Sequence, residues 1–159
     1  MFFVVFAASL SAQNFHTFRE WNPSVGLPKG NFYAMEQDDL GYLWLGTSTG
    51  LYRFDGLNFE LCDFETEENC FLPEGTFVRL FKDKNGHIWA GTLESGLYEL
   101  DPKTETVRCY FSVKGDSLSL PDSRIKAILE DEKGRLWVGC HKEGWCLLDR
   151  ENRTFKQYK

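Results

Sequence analysis

The sequence predicts an all-β fold: a β-propeller fragment of about three four-stranded antiparallel blades, preceded by one N-terminal closing strand. Two markers recur in step. The tryptophans of Gly41-Tyr42-Leu43-Trp44, Gly86-His87-Ile88-Trp89 and Gly134-Arg135-Leu136-Trp137 stand 45 and then 48 positions apart. The pairs Leu27-Pro28, Leu72-Pro73 and Leu120-Pro121 keep the same two spacings. Between the markers run short apolar stretches divided by glycine turns, with no helical periodicity. Four short strands per repeat of this length, with Trp and Gly at constant offsets, is the pattern of propeller blades.

The elements follow in chain order. Residues 1–12 are almost wholly apolar, then turn small and polar, and read as a signal peptide cleaved after Ala12. No basic residue precedes the apolar run, and the competing reading is a first core strand. Residues 13–24 contain Phe15-His16-Thr17-Phe18, which has the spacing of a fourth strand and matches Phe155-Lys156-Gln157-Tyr158. It is expected to close a ring against strands beyond this chain, which makes the chain part of a longer gene product. Blade 1 is assigned to residues 25–66, blade 2 to 67–114 and blade 3 to 115–159. In each, a first strand carries apolar residues three apart (Phe32 and Met35, Phe77 and Leu80, Ile125 and Ile128). A turn follows in which Asp38, Asp83 and Asp131 each precede a glycine by three positions. That aspartate bonds the turn backbone, and glycine takes positive φ without strain. The second strands are Leu43 to Thr47, Ile88 to Thr92 and Leu136 to Cys140. The third open at Gly50, Gly96 and Gly144, and the fourth hold Phe59 to Cys62, Val107 to Tyr110 and Phe155 to Tyr158.

Composition bounds the function. With 42% hydrophobic residues, 14 Phe and 5 Trp in 159, the chain has ample core material. A net charge of −6 argues against a nucleic-acid partner, because phosphates would go unneutralised. No apolar run is long enough to span a bilayer. The five cysteines (Cys62, Cys70, Cys109, Cys140, Cys146) are odd in number, irregular in spacing and without a C-x-x-C pair. That is neither a disulfide framework nor a zinc site, and most are expected to be small buried hydrophobes.

The strings D-x-x-G-x-[LI]-W-x-G-[TC] and G-[LW]-x-x-[FL]-D, three times over, resemble the two-component regulator propeller family. The likeness covers Phe15 to Lys159. In the third copy Cys140 replaces Thr47 and Thr92, and Trp145 replaces Leu51 and Leu97. The resemblance implies the periplasmic sensor region of a hybrid histidine kinase of Bacteroidetes type. Members of that family carry further propeller blades, a β-domain, a membrane helix and the kinase downstream, and many take an oligosaccharide as ligand. It leaves room for a homodimer in the full receptor. No catalytic residue, metal or cofactor is expected in this segment. Two other readings stay open: a fragment of a propeller glycosidase or lyase, and a protein-interaction scaffold.

A residue repeated in every blade is expected to be structural, so Trp44, Trp89 and Trp137 are assigned to packing between blades. The three turn aspartates are read the same way. Ligand contacts are sought where the repeats differ, on the face formed by the loops between blades and the turns between second and third strands. The candidates are Asn31, Thr76, Arg79, Glu94, Arg124 and His141. Arg79 stands where Ala34 and Ala127 stand in the other repeats, on the strand nearest the channel, and a guanidinium there can bond a sugar hydroxyl or carboxylate. The blander reading, in which it pairs with a neighbouring acid or solvent, outweighs this one. Trp145 can stack on a sugar ring but is expected in the core. His87 and His141 lack companions at metal-ligand spacing.

Overall fold

A computed structural model describes residues 20–22, 26–66 and 70–158. The predicted signal and the strand around Phe15 to Phe18 lie outside these residues. The fold is all-β, as the repeats predict. The first sheet holds β1 (Phe32–Gln37), β2 (Leu43–Thr47), β3 (Leu51–Phe54) and β4 (Phe59–Leu61), antiparallel in chain order. A two-residue strand, β5 (Glu65–Thr66), leads on to β6 (Phe77–Lys82), β7 (Ile88–Thr92), β8 (Leu97–Asp101) and β9 (Thr106–Tyr110). The third sheet is β10 (Ile125–Glu130), β11 (Leu136–Cys140), β12 (Trp145–Asp149) and β13 (Thr154–Tyr158).

The first strand of each sheet carries a register shift at the same place: Phe32/Ala34, Phe77/Arg79 and Ile125/Ala127. These strands are the ones through which neighbouring sheets meet near the axis. One extra residue per strand strengthens its local twist, and each sheet is bent alike.

The repeated aspartate does more than form a turn. Asp38 Oδ1 accepts the Leu40 and Tyr42 amides at 2.9 Å each, while Oδ2 accepts the Trp44 indole N–H at 2.8 Å. Asp83 holds Trp89 at 2.9 Å and Asp131 holds Trp137 at 2.9 Å in the same way. The turn thus fixes the indole that packs on the next blade, and the buried N–H is satisfied.

The cores lie between sheets. Trp44, Leu51 and Phe64 bury against Phe77, Ile88, Ala90 and Tyr98. Trp89, Leu97 and Tyr110 bury against Ile125, Leu136, Val138 and Phe155. The fit is close enough to demand glycine on the facing strand. A Cβ on Gly91 would sit 2.6 Å from Ile125 Cγ2, and one on Gly46 would sit 2.8 Å from the Phe77 carbonyl oxygen.

Two features depart from the sequence expectation. β5 pairs in parallel with β9, so the chain leaving the first sheet adds a fifth strand to the outer edge of the second. A covered edge offers no free ladder to another chain. The same segment is then pinned by a disulfide between Cys70 and Cys109, with Cα atoms 5.6 Å apart. The sequence predicts most of the cysteines to be small buried hydrophobes and singles out no pair. The spacing of the two cysteines carries no hint that the linker wraps back along β9. Cys62, Cys140 and Cys146 are free and buried.

Candidate functional site

Because strands in each sheet alternate in direction, the loops between blades and the turns between second and third strands share one face. One hydrogen bond recurs there in all three blades. The Ser48 amide donates to Asn31 O at 2.9 Å, the Leu93 amide to Thr76 O at 2.9 Å, and the His141 amide to Arg124 O at 3.0 Å. This bond ties the start of each first strand to the tip of the following turn. It brings Asn31, Thr76, Arg124 and His141 onto the same face, with Glu94 on the second turn.

Arg124 is held by two side-chain hydrogen bonds and one from its amide. Its Nε and Nη2 grip Asp122 at 2.9 and 2.6 Å, and its amide also donates to Asp122 at 3.0 Å. The Arg124 hydrogen bonds hold the Asp122 carboxyl down at about 2, against a burial effect that would raise it. Glu94 of the neighbouring blade adds a further attraction to Arg124. Charges from two blades therefore converge at this junction. There the Gly96 amide also donates to Ser123 O at 2.9 Å.

Arg79 has different partners from either sequence reading. Nε donates to the Lys126 carbonyl of β10 at 2.7 Å, and Nη1 to the Val78 carbonyl at 2.6 Å. It is exposed on the inner strand and struts two inner strands together. Trp145 also corrects an expectation: it is 52% exposed, packed beside Trp137 and Tyr158 with ring centroids 5.0 and 5.3 Å away. Leu51 and Leu97 hold the same place and are buried because the next blade covers them. No described residue lies over that face of the third sheet.

Residues that differ between repeats in other columns escaped the sequence reading. Phe71 and Phe111 are exposed on the loops of the candidate face. Beside Phe111 a polar cleft of about 590 Å³ is lined by Ser112, Lys114, Asp116, Ser117, Glu143 and Gln157, among others. On the outer rim, His87 Nδ1 lies 3.0 Å from Glu99 Oε1, and the Tyr110 hydroxyl donates to Glu99 Oε2 at 2.8 Å. The Glu99 bond raises the His87 pKa above its usual value, against burial. Burial would raise the Glu99 carboxyl, but His87 and Tyr110 outweigh it and hold it low. Arg53 and Leu147 occupy the Glu99 column in the other blades, so only the variation itself could have flagged it. Among the described residues, no group of three or more His, Cys, Asp or Glu is placed to hold a metal ion.

Comparison with known proteins fits this architecture. The two component regulator propeller family matches residues 26–49, 72–94 and 119–142. A curated relative, histidine kinase P4 of Formosa agariphila, is 42% identical over 60 residues, covering 37% of this chain and 4% of that protein. The extracellular domain of a hybrid two component system from Bacteroides thetaiotaomicron superposes with a TM-score of 0.79 at 24% identity. That match covers 89% of this chain and 20% of the other. PorZ, a surface component of the type-IX secretion system of Porphyromonas gingivalis, superposes with a TM-score of 0.55 at 23% identity, over 79% of this chain and 17% of PorZ. At these identities the structural likenesses establish the fold. The chain spans a small part of each relative.

Proposed function

Because the chain belongs to the two-component regulator propeller family, we infer that it is part of the exported, ligand-sensing propeller of a two-component receptor, and that the ligand is an oligosaccharide. The receptor's output domains are parts of a longer protein; the curated relative is named as a histidine kinase. The periplasm is the compartment this reading requires. The observation that carries the site is the loop-to-turn hydrogen bond repeated in all three blades. It supports a binding face built from Asn31, Thr76, Glu94, Arg124 and His141, with Arg79 at the channel. Sugars bind through polar groups beside an apolar platform. Exposed Phe71 and Phe111 on the same loops supply the second ingredient. A cleft of about 590 Å³ falls within the range of small-molecule sites.

The test is calorimetric titration of the complete propeller with a panel of soluble plant and host oligosaccharides. Arg124→Ala should weaken binding about ten-fold or more, since a hydrogen bond to a charged group contributes about 1.5–3 kcal/mol. Unchanged affinity with an unchanged melting temperature would remove Arg124 from the site. Arg79→Ala is read by the same pair of measurements, and a fall in melting temperature alone would make it only a strut. The likeness to PorZ favours a second reading, a surface scaffold for protein assembly. Failure of every oligosaccharide to bind, with a protein co-purifying through this face, would favour that reading. Cleavage of a titrated sugar would instead revive an enzymatic one.

A further inference from the structure

In the first two blades, hydroxyls clamp the turn between the second and third strands. Thr47 Oγ1 donates to Gly50 O at 2.9 Å and accepts the Thr49 amide at 3.1 Å. Thr92 Oγ1 donates to Gly96 O at 2.9 Å and accepts the Ser95 amide at 2.8 Å. The Tyr98 hydroxyl adds a bond to Ser95 O at 2.8 Å. In the third blade both columns change, and both change to cysteine. Cys140 ends β11 where Thr47 and Thr92 end their strands. Cys146 pairs with Val138 where Tyr52 and Tyr98 pair with Leu45 and Ala90. A thiol is a poor substitute for a hydroxyl clamp. Two thiols have another option.

The placement allows it. Cys140 lies two residues beyond Val138 on β11, so it shares a face with Cys146. Both point into the core between the second and third sheets, where Cys146 Sγ donates to the Val138 carbonyl at 3.7 Å and the nearness of the two thiols shifts the pKa of each. Cys140 is 9% exposed and adjoins the exposed turn at His141, whereas Cys146 is fully buried. We propose that Cys140 and Cys146 are a redox pair that closes to a disulfide by exchange with a small disulfide such as oxidised glutathione. The bond replaces, in the third blade, the clamp that hydroxyls supply in the other two.

The order of events follows from exposure. The Cys140 thiolate attacks one glutathione sulfur, the small disulfide breaks, and one glutathione leaves as a thiol after taking up a proton. Cys146 then loses its proton and attacks the Cys140 sulfur, and the second glutathione leaves. Two electrons pass from the protein sulfurs to the small disulfide, which departs as two thiols. Cys146 beside it holds the Cys140 pKa below that of an ordinary thiol, while Cys140 and burial push the Cys146 pKa up, which suits Cys140 to attack first and Cys146 to follow. The closed Cys70–Cys109 bond, elsewhere in the molecule, fits an oxidising compartment.

Trypsin cuts after Arg135, Lys142 and Arg150, so the two cysteines fall in separate peptides, Leu136–Lys142 and Glu143–Arg150. After the folded, intact chain is treated with oxidised glutathione, non-reducing mass spectrometry should find these peptides joined, and dithiothreitol should part them. Recovery of both cysteines fully alkylated, while Cys70 and Cys109 stay linked, would overturn the proposal. So would a link that forms only in denaturant. In Cys146→Ser, glutathione should remain trapped on Cys140. In Cys140→Ser, the sealed Cys146 should stay unmodified, and an adduct there would refute the assigned order.

Discussion

At the residue scale, the hydrogen bonds that matter most belong to carboxylates buried beside a specific donor. Asp83 is 3% exposed and accepts from the Trp89 indole, two backbone amides and Arg150 Nη1 at 2.7 Å. Glu99, 8% exposed, is satisfied by His87 and Tyr110, with Arg108 3.7 Å away. The His87–Glu99 pair makes a pH-dependent prediction. The His87 pKa is raised by the Glu99 hydrogen bond, with Asp83 and Asp101 adding to it. Its contribution to stability is therefore complete below the unfolded histidine pKa and is lost as pH rises through the folded value. The Glu99 pKa is lowered, so its contribution holds above the unfolded glutamate pKa and is lost as pH falls through the folded value. Thermal melts of His87→Gln should show a loss of about 1.5–3 kcal/mol at a pH below the unfolded histidine pKa, shrinking as the pH rises through the raised folded value. A loss independent of pH would mean that the imidazole contributes by packing and not by charge.

At the scale of strands and turns, the contrast between two glycines isolates the packing of one blade on the next. Gly91 and Gly139 occupy the same position in successive second strands. A Cβ at Gly91 would strike Ile125 Cγ2 and Cβ of the next blade, at 2.6 and 2.8 Å. One at Gly139 would meet only Ala127 of its own sheet, at 3.3 Å for the nearest atom. Gly91→Ala should therefore destabilise by about 1–3 kcal/mol, as overpacking does, and Gly139→Ala by clearly less. Equal effects in denaturant titrations would show that intrinsic strand propensity, not the blade contact, sets the cost. The sequence made the strands legible because each repeat restates the same turn chemistry. Asp38, Asp83 and Asp131 announce the first turn, and Gly50, Gly96 and Gly144 the second. It did not reveal β5 or the Cys70–Cys109 bond, since both depend on where a unique linker runs and no repeat echoes it.

At the scale of the whole molecule, two sheet faces are apolar and no further sheet among the described residues covers them. On the first sheet Trp21, Phe32, Met35, Leu43 and Phe54 border a groove of about 530 Å³. On the third, Leu129, Trp137 and Trp145 border one of about 330 Å³. Between the blades, faces equivalent to the third sheet's are filled by Phe77 and Ile125 of the following blade, and faces equivalent to the first sheet's by Trp44 and Trp89 of the preceding one. Large exposed apolar patches drive association. The chain expressed alone should self-associate at micromolar concentration by light scattering, about as interface-sized patches do, and Met35→Glu with Leu129→Glu should suppress it. A monodisperse wild-type monomer would show that these faces tolerate water.

The sequence by itself determined the repeat, the strand order within each blade and the side of the ring on which its variable residues gather. Those properties follow from local periodicity, which is written along the chain. It also singled out Asn31, Thr76, Arg124 and His141 for one face, and the recurring loop-to-turn bond places them there. Only the tertiary structure decided what variable side chains touch. Arg79 grips the Lys126 carbonyl of the next blade and the Val78 carbonyl of its own strand, Trp145 lies open instead of in the core, and Glu99 gathers His87 and Tyr110. The physical reason is that these partners come from separate strands or blades. Spacing along the chain encodes the direction of a side chain, but not which distant group will meet it.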